Sequence, residues 1–147
     1  MKLLPITPQL AASEQVQRSG LLKEVCESVL AMSPGREPPW PWSGYLAQED
    51  GDFVGTCAFK APPQEGGVEI AYFSFPGHQG RGLATRMARA LVELAQQHGA
   101  AFVRAQTLPE ENASTSLLKK LGFRLEGPVE HPTDGTVWEW RLALRAA

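Results

Sequence analysis

Long apolar runs, paired cysteines and blocks of one charge are all missing from this chain. No stretch approaches the ~18 consecutive apolar residues that a membrane-spanning helix needs. The apolar run between Met1 and Pro8 is also too short for a secretory leader. These absences lead to the expectation of a cytoplasmic protein with no membrane partner. The 2 cysteines, Cys26 and Cys57, have neither a CxxC neighbour nor a spaced histidine, so they read as neither a disulfide framework nor a zinc site. Both sit in apolar stretches and are expected to be buried thiols. The 3 histidines, His78, His98 and His131, lack metal-ligand spacing, and no metal is expected. With 14 Lys and Arg against 16 Asp and Glu, the net charge is -2 and no basic run appears. A phosphate backbone demands clustered cations, so a nucleic-acid partner is not expected.

What is present is an ordinary globular composition, 43% hydrophobic over 147 residues, which fits one domain spanning 1–147. Lys2–Thr7 reads as a short strand. From Ser13 to Met32 the period becomes helical, with Leu21, Leu22, Val25 and Val29 on one face and Ser33-Pro34-Gly35 as the stop. A stiff Pro/Trp segment follows over 36–43. Two strands then flank Asp50-Gly51, the signature of a tight hairpin. Val68–Phe75 is strand-like, and Leu83, Met87, Ala90, Leu91 and Leu94 share a helical face ending near Gly99. Ala100–Thr107 suits a buried parallel strand, which closes a βαβ unit. Pro109 is read as opening a short helix. Phe123–Leu125 and Thr136–Leu144 are read as a closing antiparallel pair, with Trp138 and Trp140 inward and the last strand exposed.

The informative stretch is Gln79-Gly80-Arg81-Gly82-Leu83-Ala84-Thr85, between the end of a strand and the first turn of a helix. The opening amides of a helix have no internal partners, and with the helix dipole they make an anion site. Gly80 and Gly82 let a phosphate approach the backbone, Arg81 adds a cationic fork, and Thr85 offers a hydroxyl. The alternative is a helix that merely begins with glycines. A P-loop is excluded because no Lys follows Gly82. A dinucleotide fingerprint is excluded because Thr85 stands at the third glycine and Ala100–Thr107 carries no carboxylate.

The remaining pattern, Q/R-x-x-G-x-G/A, is met by Gln79, Gly82 and Ala84. With Glu69–Phe75 upstream and Leu108–Phe123 (LPEENASTSLLKKLGF) downstream, the chain resembles the GNAT superfamily of acetyl-CoA-dependent N-acetyltransferases. Its wording is nearest to the branch that acetylates ribosomal-protein N-termini. The resemblance implies a single-domain α/β fold. Its mixed, mostly antiparallel sheet would have splayed parallel fourth and fifth strands and flanking helices. It implies acetyl-CoA as cofactor, with the backbone of Phe73, Ser74 and Phe75 along the pantetheine. Gln79, Gly80, Arg81, Gly82, Leu83, Ala84 and Thr85 would then lie around the pyrophosphate. Glu69 falls where many members keep a general base, although a strand Glu also pairs with a cation or faces solvent.

The family's usual acid, a Tyr four residues before the Gly-Phe pair, is Leu118 here, which points to Ser114 as a substitute. Asn112 stands one residue closer to Ser114 than in the family pattern, and either binds cofactor or caps the helix. His78, beside the loop, is a weaker base candidate. Trp40, Trp42 and Tyr45 fall where the family builds its acceptor pocket. The implied activity is direct acetyl transfer to the primary amine of a small molecule or polypeptide. A homodimer through the last strand is also compatible. The alternative is a non-catalytic acyl-CoA sensor, motivated by Leu118.

Overall fold

The structure is a computed structural model that describes residues 1–31 and 40–144; the expected helix stop at 33–35 and the prolines at 34, 38 and 39 lie outside them. In chain order the elements are β1 (Lys2–Pro5), α1 (Pro8–Ala11), α2 (Glu14–Gln17), α3 (Gly20–Ala31), β2 (Gly44–Glu49), β3 (Asp52–Phe59) and β4 (Gly67–Ser74). They continue with α4 (Leu83–Gln97), β5 (Phe102–Thr107), α5 (Ala113–Lys120), β6 (Arg124–His131) and β7 (Gly135–Ala143). The strands form one sheet in the order β1-β2-β3-β4-β5-β7-β6, antiparallel except for the β4–β5 pair. Among the described residues no helix is long and apolar enough to cross a membrane.

The sheet divides two cores. On one face α4 and α5 bury Leu83, Met87, Leu91 and Leu118 against Cys57, Phe59, Ile70 and Trp140. Each such side chain contributes roughly 1.5–3 kcal/mol relative to exposure. On the other face α3 buries Leu22 and Cys26 against Ile6, Leu46 and Phe75. Both cysteines are free and buried, and burial pushes the Cys57 thiol up to about 12, so it carries no thiolate at neutral pH. The hairpin between β2 and β3 turns on Asp50 (φ 50°) and Gly51 (φ 84°), both left-handed as a type I′ turn requires.

Four sequence expectations are corrected. The Ser13–Met32 helix is split: α2 ends at its C-cap Arg18, and Ser19 Oγ accepts from Leu22 N at 3.2 Å to start α3 afresh. Leu21 therefore leaves the buried stripe and is 39% exposed. The last helix begins at Ala113 rather than Pro109, because Asn112 and Thr115 form a capping box. Strand β6 runs on to His131 despite Gly127 and Pro128. Gly127 takes φ 133° at a register shift, and Pro128 is tolerated on an edge strand. The last strand, β7, is not an exposed edge open to a second subunit; it lies between β5 and β6, with Trp140 in the core.

Candidate functional site

The segment from Phe75 to Thr85 leaves the sheet through a tight turn, with His78 N donating to Phe75 O at 2.9 Å across Pro76-Gly77. Gly77 has φ 87°, as the third position of a type II turn requires. Gly80 and Gly82 have φ 79° and 73°, and a Cβ at either would meet nothing within 4 Å. Their freedom from side chains thus serves the turn and leaves open space over it. The first ladder bond of α4 is Arg86 N to Gly82 O at 3.1 Å, and Gly82 supplies no side-chain cap. The amides of Leu83, Ala84 and Thr85 precede that bond and have no acceptor within the helix. Arg81 is exposed, with Nη1 3.2 Å from His78 Nδ1, and Arg86 pairs with Glu49. This is a bare helix N-terminus with a cationic rim, suited to an anion of two or more phosphates.

Beside the loop, the parallel strands part. β4 and β5 stay in register from Gly67 opposite Phe102 to Ile70 opposite Ala105 and no further. Ala71 to Ser74 continue to pair with β3 on their other side. One edge of β4 is therefore left without a ladder where a backbone-like ligand can lie. Phe73 is 46% exposed at this rim and Phe75 is buried, their ring centroids 6.0 Å apart. The Gln79–Thr85 loop thus follows directly in the chain on the Phe73–Phe75 strand end.

The groups able to move protons divide between the two faces. Glu69 pairs with Lys60 Nζ at 2.7 Å and stands opposite Arg104 on the α3 face. Tyr72 is on the α4 face, aligned with Cys57, with the Ser114 hydroxyl of α5 beside it. Burial raises its pKa above the ordinary phenol value, and the Ser114 hydroxyl opposes that shift. Leu118 is fully buried apolar core. Asn112 Oδ1 accepts from Thr115 N at 3.0 Å, so its carbonyl caps α5. Sequence reasoning missed Tyr72. Its alternation with Val68 and Ile70 marked it as inward-facing, but nothing in the chain order placed it beside Ser114.

A cavity of about 430 Å³ lies on the α3 face where the splay opens, with Leu21, Glu24, Val25, Ser28, Ala71 and Phe73 among its lining residues. Trp40, Trp42 and Tyr45 gather on the other face. Tyr45 Oη donates to Pro41 O at 2.5 Å, Trp42 meets Phe59 edge-on at 5.0 Å, and Trp40 meets His98 edge-on at 4.8 Å. Trp40 and Tyr45 line a second cavity, of about 430 Å³, with Leu94 and Gln97 of α4. Among the described residues no group of His, Cys, Asp and Glu is placed to hold a metal ion.

Residues 8–124 match the family model of the acetyltransferase (GNAT) domain. The chain is 31% identical over 88 residues to an N-acetylaspartate synthetase of Rattus norvegicus, covering 59% of this chain and 29% of that protein. It is 31% identical over 84 residues to an uncharacterized N-acetyltransferase p20 of Bacillus licheniformis, covering 56% of this chain and 47% of that one. The chain therefore spans less than half the length of these curated relatives. In fold it is similar to a ribosomal-protein-alanine N-acetyltransferase of Brucella melitensis, with a TM-score of 0.71 and 15% identity over 98% of this chain and 100% of that one.

Proposed function

This chain belongs to the GNAT acetyltransferase family, and from that premise we propose that it moves an acetyl group from acetyl-CoA directly to a primary amine. The observation that carries this reading is the continuity of two features. The amides left unbonded at Leu83–Thr85 follow directly in the chain from β4, whose β5-side edge is unpaired after Ile70. A cofactor with a diphosphate at one end and an amide-bearing arm toward its thioester matches that sequence of partners. When bound it supplies the activated acetyl group. The amides of Gly80 to Thr85, with Arg81, hold its pyrophosphate. The backbone of Phe73 to Phe75 aligns the arm.

The acceptor amine enters from the cavity on the α3 face, where Glu24 favours an approaching ammonium. Glu69 then takes a proton through water so that the free amine can attack the carbonyl carbon. Its pairing with Lys60 fixes its position. As the carbon–sulfur bond breaks, Tyr72 gives its proton to the leaving sulfur, and the second proton shed by the amine nitrogen restores the phenol. Burial keeps the phenol protonated at neutral pH, and Ser114 orients it. The alternative of an acyl-CoA sensor rested on Leu118 replacing the usual Tyr. A half-buried phenol on β4, beside Ser114, offers a donor in that Tyr's place.

Purified protein incubated with acetyl-CoA and peptides, amino acids, polyamines or aminoglycosides should release free thiol from at least one class. No release above the enzyme-free rate across the panel would overturn this reading.

A further inference from the structure

Across the middle of the sheet, on the face that carries α3, charged residues stand opposite one another strand after strand. Lys60 N donates to Glu69 O, and their side chains pair. Glu69 is opposite Arg104, Arg104 opposite Arg141, and Arg141 opposite Arg124. Directly opposed residues share a face, so the row runs Lys60, Glu69, Arg104, Arg141, Arg124, with four cations to one carboxylate. This concentration of positive charge sits in a chain whose net charge is -2.

The row's one carboxylate is taken by Lys60. Among the described residues none of the three arginines forms an ion pair. Phe102 orders two of them: the Arg141 guanidinium lies 3.8 Å from its ring centroid and that of Arg104 5.9 Å. Stacking fixes these groups without neutralising them. Arg104 Nε is buried and lacks a hydrogen-bond partner. Arg141 and Arg124 are exposed. Opposed like charges cost roughly 0.2–1 kcal/mol per pair, and an anion lying along the row turns that cost into binding.

Position and length select the anion. The row ends at Glu69, two residues before Ala71, which lines the cavity beside the splay. With strands ~4.8 Å apart, Arg104 to Arg124 spans about 10 Å, more than one carboxylate bridges; an extended peptide presents alternate side chains about 7 Å apart on one side. We propose that Arg104, Arg141 and Arg124 dock an acidic segment of a polypeptide acceptor, so that the enzyme selects amines carried by acidic peptides. The selection rests on the acetyltransferase reading; the docking itself does not.

The test uses a fluorescein-labelled peptide with a free N-terminus and alternating Glu residues, beside its Gln counterpart. Fluorescence anisotropy is measured with coenzyme A present, at low and high salt. The acidic peptide should bind about tenfold tighter than the Gln peptide at low salt, and the gap should close as salt screens it. Arg124→Gln with Arg141→Gln should abolish the preference while leaving coenzyme A affinity intact. Arg141→Gln loses the Phe102 stack and can unfold the sheet. Arg124→Glu, with no contact to that ring, therefore carries the test alone, checked by an unchanged melting curve. Equal binding of the two peptides, or an Arg124→Glu protein that keeps the preference, overturns the proposal. Tighter Arg124-dependent binding of an RNA oligonucleotide overturns the choice of occupant. Turnover separates the two readings: acidic peptide bound without thiol release counts against acetyl transfer, and release without acidic preference counts against the docking row.

Discussion

The loop that opens α4 and the arginine row across the sheet are both electropositive, and they are assembled in opposite ways. The loop draws on consecutive residues, Gln79 to Thr85, and its positive character belongs to backbone amides freed by a helix start at Gly82. The row takes one residue from each of four strands, with Lys60 just past the end of β3, and its positive character belongs to side chains that meet only through register. Backbone amides fixed in a turn are preorganised and match a ligand of fixed geometry, such as a diphosphate. Exposed guanidinium groups adapt and are screened by salt, which suits a variable polypeptide. Tyr72 and Ser114 stand between them in kind, a pair joined by tertiary contact and half-buried at the edge of the core.

The sharpest way to separate these regions is the group assigned to neither binding surface. Tyr72→Phe removes the proposed proton donor and should lower kcat by about 100-fold or more. Coenzyme A and peptide affinities should be unchanged in calorimetry; a kcat within threefold of wild type would return the acid role to Ser114 or to solvent. Next comes Gly82→Val, which forces a side chain onto a residue at φ 73° and into the space over the helix start. The strain of roughly 1–2 kcal/mol, together with lost amide contacts, should weaken coenzyme A binding about thirtyfold. Acidic-peptide anisotropy should not move. If the same variant abolished peptide binding, the two surfaces would be one.

A smaller effect is expected from Thr107→Val. Thr107 Oγ1 accepts from Trp140 Nε1 at 3.0 Å in the core beneath the row. A valine leaves that N–H unsatisfied, at a cost of about 2 kcal/mol in urea denaturation. Arg124 should remain free to dock peptide at temperatures well below the lowered melting point. The smallest effect is in alkali. Burial raises the folded-state pKa of Tyr72, and that of Tyr45 to about 12. The stability these neutral phenols contribute is complete below the ordinary value near 10 and is lost as pH rises through the folded values. Melting temperature should therefore hold level on approaching pH 10 and fall above it, and Tyr45→Phe should flatten the fall.

Much of the fold was legible because local rules agreed with the final structure. The Asp50-Gly51 turn, the α4 stripe and the alternation that buries Trp140 depend on neighbours a few residues apart. The errors arose where tertiary context overrode them. Gly127 and Pro128 look like breakers, yet an edge strand needs only one satisfied side. Ser19 reset the helical stripe, which turned Leu21 outward to line a cavity that no periodicity argument contains. The aromatic residues Trp40, Trp42 and Tyr45, which the resemblance alone assigned to the acceptor pocket, do lie near one another. They do so on the face opposite the splay-side cavity, because Tyr45 pairs with Cys57 and so faces α4.

The sequence by itself determined where a helix would begin with bare amides, because glycines in a row of consecutive residues act on their own backbone. It also determined most of the buried faces, since period and composition set them, Leu21 being an exception. Only the tertiary structure decided what stands beside what across the sheet. The parting of β4 from β5, the meeting of Tyr72 with Ser114, and the gathering of scattered Lys60, Arg104, Arg124 and Arg141 into one row all depend on strand order and register. A one-residue slip in any of those pairings would send a charge to the opposite face.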